Sequence, residues 1–342
     1  MQTHEIISDS LENSFQKLEN QLLRGFVTDD FDSFALQIFQ LQAKHNPIYK
    51  KYLDLLGVEV ENIRKIENIP FLPIQFFKNY EIKTGNWKTE KQYSSSGTTG
   101  QTTSSHAVKD ENFCHKIAKI GFENRYGSLQ NYAILGLLPS YLERNNSSLV
   151  SMVDYFISES KQSNSGFFLD DFDKLFAILA QNKQNNIPTL LIGVSFALVD
   201  FSEKYKISDA NNLIIMETGG MKGRRKELTK SELHTLLMSK FSTQQIDSEY
   251  GMTELFSQAY SKGAGVFVAS PTMKILIREV QDPLTLQGIG KTGAINVIDL
   301  ANLHTCSFIA TEDVGKIDAD GNFELLGRLD ASDIRGCNLM VE

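Results

Sequence analysis

Cysteine is scarce in this sequence of 342 residues: Cys114, Cys306 and Cys337 are an odd number and have no CxxC spacing. That argues against a disulfide framework and against a zinc site. No apolar run approaches the roughly 18 residues that a membrane span requires. The N-terminus, MQTHEIISDSLENS, has neither a basic n-region nor an apolar h-region, so it does not read as a secretory signal. Long Lys/Arg runs are missing and the formal net charge is −8. The densest basic cluster, Lys222, Arg224, Arg225 and Lys226, is too short for a nucleic-acid footprint and reads as a solvated turn. Repeats are absent, and so are low-complexity tracts apart from one stretch. The expectation is a reduced, cytoplasmic protein that neither spans a membrane nor binds nucleic acid.

What is there is ordinary globular composition, 41% hydrophobic and 22% charged. The length exceeds what one core usually fills, so a large domain plus a smaller one is expected. Residues 5–45 carry apolar positions at helical spacing (Ile6, Leu11, Phe15, Leu18, then Phe34 and Ile38) and read as amphipathic helices. IPFLPIQFFKNYEI, with two prolines, reads as a wall-forming loop. From residue 131 short apolar strands alternate with helices. YAILGLLP, PTLLIG, NLIIMETGG and QIDSEYG are the strands, and TKSELHTLLMSKF is a helix with a Thr/Ser start. Such alternation predicts an α/β core with a parallel sheet covered on both faces. After residue 262 the texture changes to strands separated by Gly/Asp turns: TMKILIREV, GAINVIDL, SFIATEDVGKI and NFELLGRL. The expected division is an α/β core over 1–262 and a β-rich subdomain over 263–342.

The exceptional stretch is YSSSGTTGQTTSSH, Tyr93 to His106. Gly97 and Gly100 can take positive φ and turn backbone N–H groups toward one centre. Ser94, Ser95, Ser96, Thr98 and Thr99 add hydroxyl donors around the same space, a combination that suits phosphate oxygens. The helix that follows, DENFCHKIAKIGF, adds its N-terminal dipole at longer range. The loop lacks the Gly-Lys-Ser/Thr of a Walker A motif, and composition alone slightly favours a flexible polar linker.

The loop SSSGTTG resembles the phosphate loop of adenylate-forming enzymes, the superfamily of acyl-CoA ligases, peptide-synthetase adenylation domains and luciferases. Four further segments resemble that superfamily's motifs in the same order. TGGM (Thr218 to Met221, with Gly219 and Gly220) lies where those enzymes face adenine. SEYGMTE (Ser248 to Glu254, with Tyr250, Gly251 and Thr253) is similar to Tyr-Gly-x-Thr-Glu. TEDVG carries Asp313 where an aspartate holds the ribose hydroxyls, and GRLDASDI carries Arg328 at the hinge. The resemblance implies ATP and Mg²⁺ as cofactors. It places Ser94–Gly100 on the β/γ-phosphates, Tyr250 against adenine, Asp313 on ribose, and Glu254 with Thr98 on the metal.

Two departures stand out. The usual Pro-Lys after the loop is replaced by Gln101 and Thr102, which leaves Lys109 as the nearest substitute charge. Glu312 replaces a glycine beside Asp313. The sequence also stops at Glu342, so the C-terminal lid is expected to be absent. In this, and in the ending GRLDASDIRGCNLMVE, the chain closely resembles the acyl-protein synthetases of bacterial fatty-acid reductase complexes, also called long-chain-fatty-acid–luciferin-component ligases. That resemblance extends over essentially the whole sequence. It implies a fatty-acid substrate, an acyl-reductase or acyltransferase partner, and Cys337 as the thiol that takes the acyl group.

Rival readings stay open at this level. CoA or an acyl carrier protein would be a different acceptor for the same adenylate. Gly193-Val194-Ser195-Phe196-Ala197 follows a strand and opens a helix, as a nucleophile elbow does. With His234 or His304 it would make a serine esterase or thioesterase, although the final Gly of that motif is Ala.

Overall fold

The computed structural model describes residues 2–25, 31–95, 103–138, 146–207, 211–219 and 228–329. Three helices open the chain: α1 (Gln2–Leu23), α2 (Phe31–His45) and α3 (Pro47–Leu55). Asn46 stops α2 and starts α3. Its Oδ1 accepts from the amides of Ile48 and Tyr49, and Pro47 stands where a helix has no amide to lose. The proline-rich stretch is mostly loop, as its sequence suggests. It also holds the two-residue strand β1 (Leu72–Pro73) and the single turn α4 (Phe76–Asn79).

The hydroxyl-rich stretch is flanked by strands. β2 (Lys91–Ser94) and β3 (Ser105–Val108) pair antiparallel as a separate two-stranded sheet, with Tyr93 opposite His106. Next come α5 (Glu111–Tyr126), β4 (Ala133–Leu137), α6 (Ser148–Glu159), β5 (Gly166–Phe167) and α7 (Phe172–Gln184). β6 (Thr189–Val194), α8 (Ser195–Lys204), β7 (Leu213–Thr218), α9 (Lys230–Phe241) and β8 (Asp247–Tyr250) continue the alternation. The Thr/Ser start of α9 is a full capping box between Thr229 and Glu232.

The remaining strands are β9 (Ala259–Ser261), β10 (Val266–Ala269), β11 (Met273–Arg278), β12 (Gly293–Asp299), β13 (Phe308–Ile317) and β14 (Phe323–Arg328). Together they complete a twelve-stranded mixed sheet in the order β11-β12-β13-β14-β10-β9-β8-β7-β6-β4-β5, with β1 added beside β13. β5, β4, β6, β7 and β8 run parallel. From β8 onward the main pairings along that order are antiparallel. β4 and β6 are buried at every residue, because helices cover both faces.

Burial divides into two cores. One lies among α5–α9 and β4, β6 and β7; the other joins α2 and α3 to β11–β13. β10 pairs with β9 on one side and β14 on the other, so it links the parallel half to the antiparallel half. No described helix is long and apolar enough to cross a membrane.

Candidate nucleotide and acyl site

In parallel α/β sheets, ligands gather beyond the carboxyl ends of the strands. A cleft of about 1240 Å³ lies there, past the ends of β7 and β8. Ser94, Ser95 and Ser104 of the hairpin line it, as do Asp313 and Arg328 of β13–β14. Gly219, Tyr250, Gly251, Thr253 and Glu254 line it too. Segments up to 234 residues apart in sequence thus meet around one space. Ser96, Gly97, Thr98, Thr99, Gly100, Gly220 and Cys337 lie outside the described residues.

Asp313 is displayed by a β-bulge. Ala294 pairs with Val314 and Asn296 with Ala310, so Ile295 alone faces Thr311–Asp313. Arg278 fills the irregularity, donating to the carbonyls of Ile295 (2.8 Å) and Thr311 (2.6 Å) and to Asn296 Oδ1 (2.9 Å). Asp313 then accepts the Tyr250 hydroxyl at 2.9 Å, and Arg328 Nε lies 3.3 Å from its other oxygen. Burial raises the Asp313 carboxyl above its ordinary value, against the pull of Arg328 and Tyr250. Glu312 is half-buried, also lines the cleft, and is held by Gln75 (2.6 Å) and Arg328 (3.5 Å).

The hairpin reaches the Tyr-Gly-x-Thr-Glu turn through His106, a residue the sequence gave no reason to single out. Its Nδ1 lies 2.9 Å from the Thr253 carbonyl and its Nε2 lies 2.8 Å from the Thr305 hydroxyl. A carbonyl only accepts, so Nδ1 carries the proton and Nε2 accepts from Thr305. The ring stacks on Phe256, centroids 4.2 Å apart. Full burial pushes its pKa down to about 4, so it is neutral at pH 7. Beside it, Ser95 and Ser104 exchange two hydrogen bonds (3.0 and 2.9 Å), and the Ser104 hydroxyl bonds the Glu254 carboxylate. Burial raises the Glu254 carboxyl, and Arg328 and Lys78 pull the other way.

Lys78, which also lines the cleft, is a second residue the sequence reading missed. Lys109 does not take its place. Its ammonium sits 2.6 Å from Glu12, over the Phe15 ring, and it is not among the cleft-lining residues.

The elbow reading of Ser195 meets the wrong neighbours. Ser195 is buried and its hydroxyl donates to Glu217 (3.1 Å) and to the Gly219 carbonyl (3.2 Å). His234 binds Glu217 and Ser248 instead, and His304 binds Glu19. No described histidine reaches Ser195, so the carboxylate stands where a triad needs the imidazole. Glu217 also accepts from Lys230 and Ser248, both at 2.5 Å. Burial works to raise its pKa, but His234, Lys230 and Ser248 outweigh that and bring it down to about 2.

No protein-family model matches the chain, and no curated protein sequence matches it. Solved structures do. ATP-bound MatB from Rhodopseudomonas palustris matches with a TM-score of 0.52 at 17% identity, over 69% of this chain and 47% of that one. O-succinylbenzoate CoA synthetase from Bacillus subtilis, in complex with AMP, gives 0.50 at 17% identity, over 72% and 50%. An open conformation of 2-hydroxyisobutyryl-CoA ligase, in complex with 2-HIB-AMP and CoA, gives 0.61 at 11% identity, over 87% and 69%. The chain spans about half the length of the first two. All three are adenylate-forming enzymes, and at these identities the likeness is one of fold. The chain has the mixed α/β fold of an adenylate-forming N-terminal domain.

Proposed function

We propose that this chain activates a carboxylic acid with ATP as the acyl adenylate and passes the acyl group to a protein thiol, that of Cys337. What carries the reading is the convergence of Ser94, Ser95, Gly219, Tyr250, Glu254, Asp313 and Arg328 on one cleft. The same reading divides the chain at residue 262, with the nucleotide lying where the two parts meet.

Displacement at a crowded anionic phosphorus needs positioning and charge neutralisation more than it needs a nucleophilic side chain. The acid's carboxylate oxygen attacks the α-phosphorus, the bond to the β-phosphate oxygen breaks, and pyrophosphate leaves. Asp313, held by Tyr250 and Arg328, takes the ribose hydroxyls. Ser94 and Ser95, with the loop that follows, take the tail of the triphosphate. No trio of His, Cys, Asp or Glu side chains among the described residues forms a metal cage. Mg²⁺ would be held by Glu254 and Thr98 together with phosphate oxygens, where it would neutralise phosphate charge.

In the second half, a thiolate attacks the acyl carbon, the bond to the AMP oxygen breaks, and AMP leaves. Burial makes Cys114 and Cys306 poor candidates: it pushes the Cys306 thiol up to about 12 and raises Cys114 as well. Cys337 and the fatty-acid substrate are carried by the resemblance to acyl-protein synthetases. The test is incubation with ATP, Mg²⁺ and labelled long-chain fatty acid. Hydroxylamine-sensitive label on the protein, lost in Cys337→Ser, is the expected result; no such label defeats acyl-protein synthesis. CoA is the second reading for the acceptor, favoured by the CoA ligases among the structural neighbours. A CoA-dependent burst of AMP that Cys337→Ser leaves intact would select it.

A further inference from the structure

Two carboxylates lie near the ends of β7 and β8, one residue out of register and so on opposite faces of the sheet, in unequal surroundings. Glu217 is saturated by Ser195, Ser248, Lys230 and His234. Glu249 is 6% exposed and lines the cleft. Its Oε2 accepts from the Thr218 hydroxyl, whereas Oε1 has no hydrogen-bond partner among the described residues. No described cation lies within ion-pair distance of it, and the nearby Lys230 is engaged by Glu217. Tyr260, its register partner on β9, keeps a buried hydroxyl without a partner, so no relief comes from that side. Oε1 rests against Gly251, where a Cβ would fall 2.3 Å away.

Strand alternation separates this carboxylate from the ribose side of the cleft. Successive residues of β8 point to opposite faces. Tyr250 turns toward Asp313, while Glu249 shares its face with Asp247, which accepts the Tyr126 hydroxyl of α5 at 2.9 Å. Glu249 therefore looks toward the α5–α6 layer, and from that layer Leu149 and Met152 enter the cleft. One oxygen of this carboxylate is left to be satisfied. Glu249 lines the cleft, and the cleft is the side from which a donor can reach that oxygen.

Taking the cleft as the acid-activating site proposed above, we infer that Glu249 receives a hydrogen-bond donor on the acid itself. The preferred substrate is then a carboxylic acid carrying a hydroxyl or ammonium group on its chain, with the plain alkanoate used less well. Burial, helped by the nearby Glu217 charge and opposed by Thr218, pushes the Glu249 carboxyl up to about 7.

The test is ATP–pyrophosphate exchange with matched acids: hexanoate against 3-hydroxyhexanoate and 6-aminohexanoate, and dodecanoate against 12-hydroxydodecanoate and 12-aminododecanoate. At least one substituted acid should exceed its parent about tenfold in kcat/KM, and Glu249→Gln should erase most of that preference while the KM for ATP stays put. An amino acid losing more than a hydroxy acid in Glu249→Gln identifies the donor as ammonium; equal losses identify hydroxyl. Parents used as well as their substituted partners overturn the inference while leaving the ligase reading intact, and this arm needs only the wild-type protein. A raised KM for ATP in Glu249→Gln, with acid preference unchanged, overturns it too, because the carboxylate would then read the nucleotide. Exchange with no acid at all defeats the ligase reading, and this inference with it.

Discussion

The hydroxyl of Tyr250 donates to Asp313 at 2.9 Å, tying the last residue of a parallel strand to a bulge in an antiparallel one. Burial keeps the phenol protonated, so it is always the donor. If Asp313 grips ribose, Asp313→Asn should raise the KM for ATP about 10- to 100-fold, the worth of hydrogen bonds to a charged group. Tyr250→Phe should raise it by less, about threefold to tenfold. Pyrophosphate exchange at varied ATP measures both, and an unchanged KM in Asp313→Asn would remove this residue from the nucleotide site.

His106 should make stability depend on acid. It stays neutral in the fold down to about 4 but titrates near 6.5 when unfolded. Between those values the unfolded chain binds more protons, so stability falls as pH drops through that window. The full effect amounts to about 3 kcal/mol at its acid end. Urea midpoints at several pH values should show a shallower slope between pH 6.5 and 4 for His106→Gln than for the wild type. Equal slopes would contradict the assignment.

Gly315→Ala should be strongly destabilising. A Cβ there would lie 2.4 Å from the Glu324 carbonyl oxygen and 2.8 Å from Ile295 Cδ1, inside the β13–β14 ladder. Strands cannot part without losing ladder bonds, so a loss of about 2–3 kcal/mol is expected by denaturant unfolding. Gly288→Ala, with open space around it, is the control and should stay within about 0.5 kcal/mol.

Ser195→Ala should weaken the fold and spare the chemistry. Removing a buried hydroxyl that reaches Glu217 and Gly219 should cost about 1–2 kcal/mol. Adenylate formation should continue, and a fluorophosphonate should leave no adduct at Ser195 by mass spectrometry. An adduct there would revive the esterase.

The alternation of β4, β6 and β7 with their helices was legible because both faces of those strands are covered, which writes itself as unbroken apolar runs such as AILGL and TLLIGV. Strands β2 and β3 were hidden. Their sequences, KQYS and SHAV, do not alternate apolar with polar residues, so no period-two pattern marks them. His106 and Glu249 were invisible for a different reason. Each owes its role to partners more than 30 residues away in sequence, Thr253 and Thr305 for one and Thr218 for the other. Lys109 was misjudged because nearness in sequence to the loop stood in for direction, and its strand neighbours point it at Glu12.

β10 joins the halves of the sheet through Val266 to Glu324 on one side and Val268 to Tyr260 on the other. Its Phe267 stacks on Phe323, and both rings meet Tyr250. The span from Tyr250 to Asp313 is therefore gauged by main chain and three aromatic rings rather than by a hinge. A movement that widened that span would have to unzip β10, so this wall of the cleft serves as a fixed ruler.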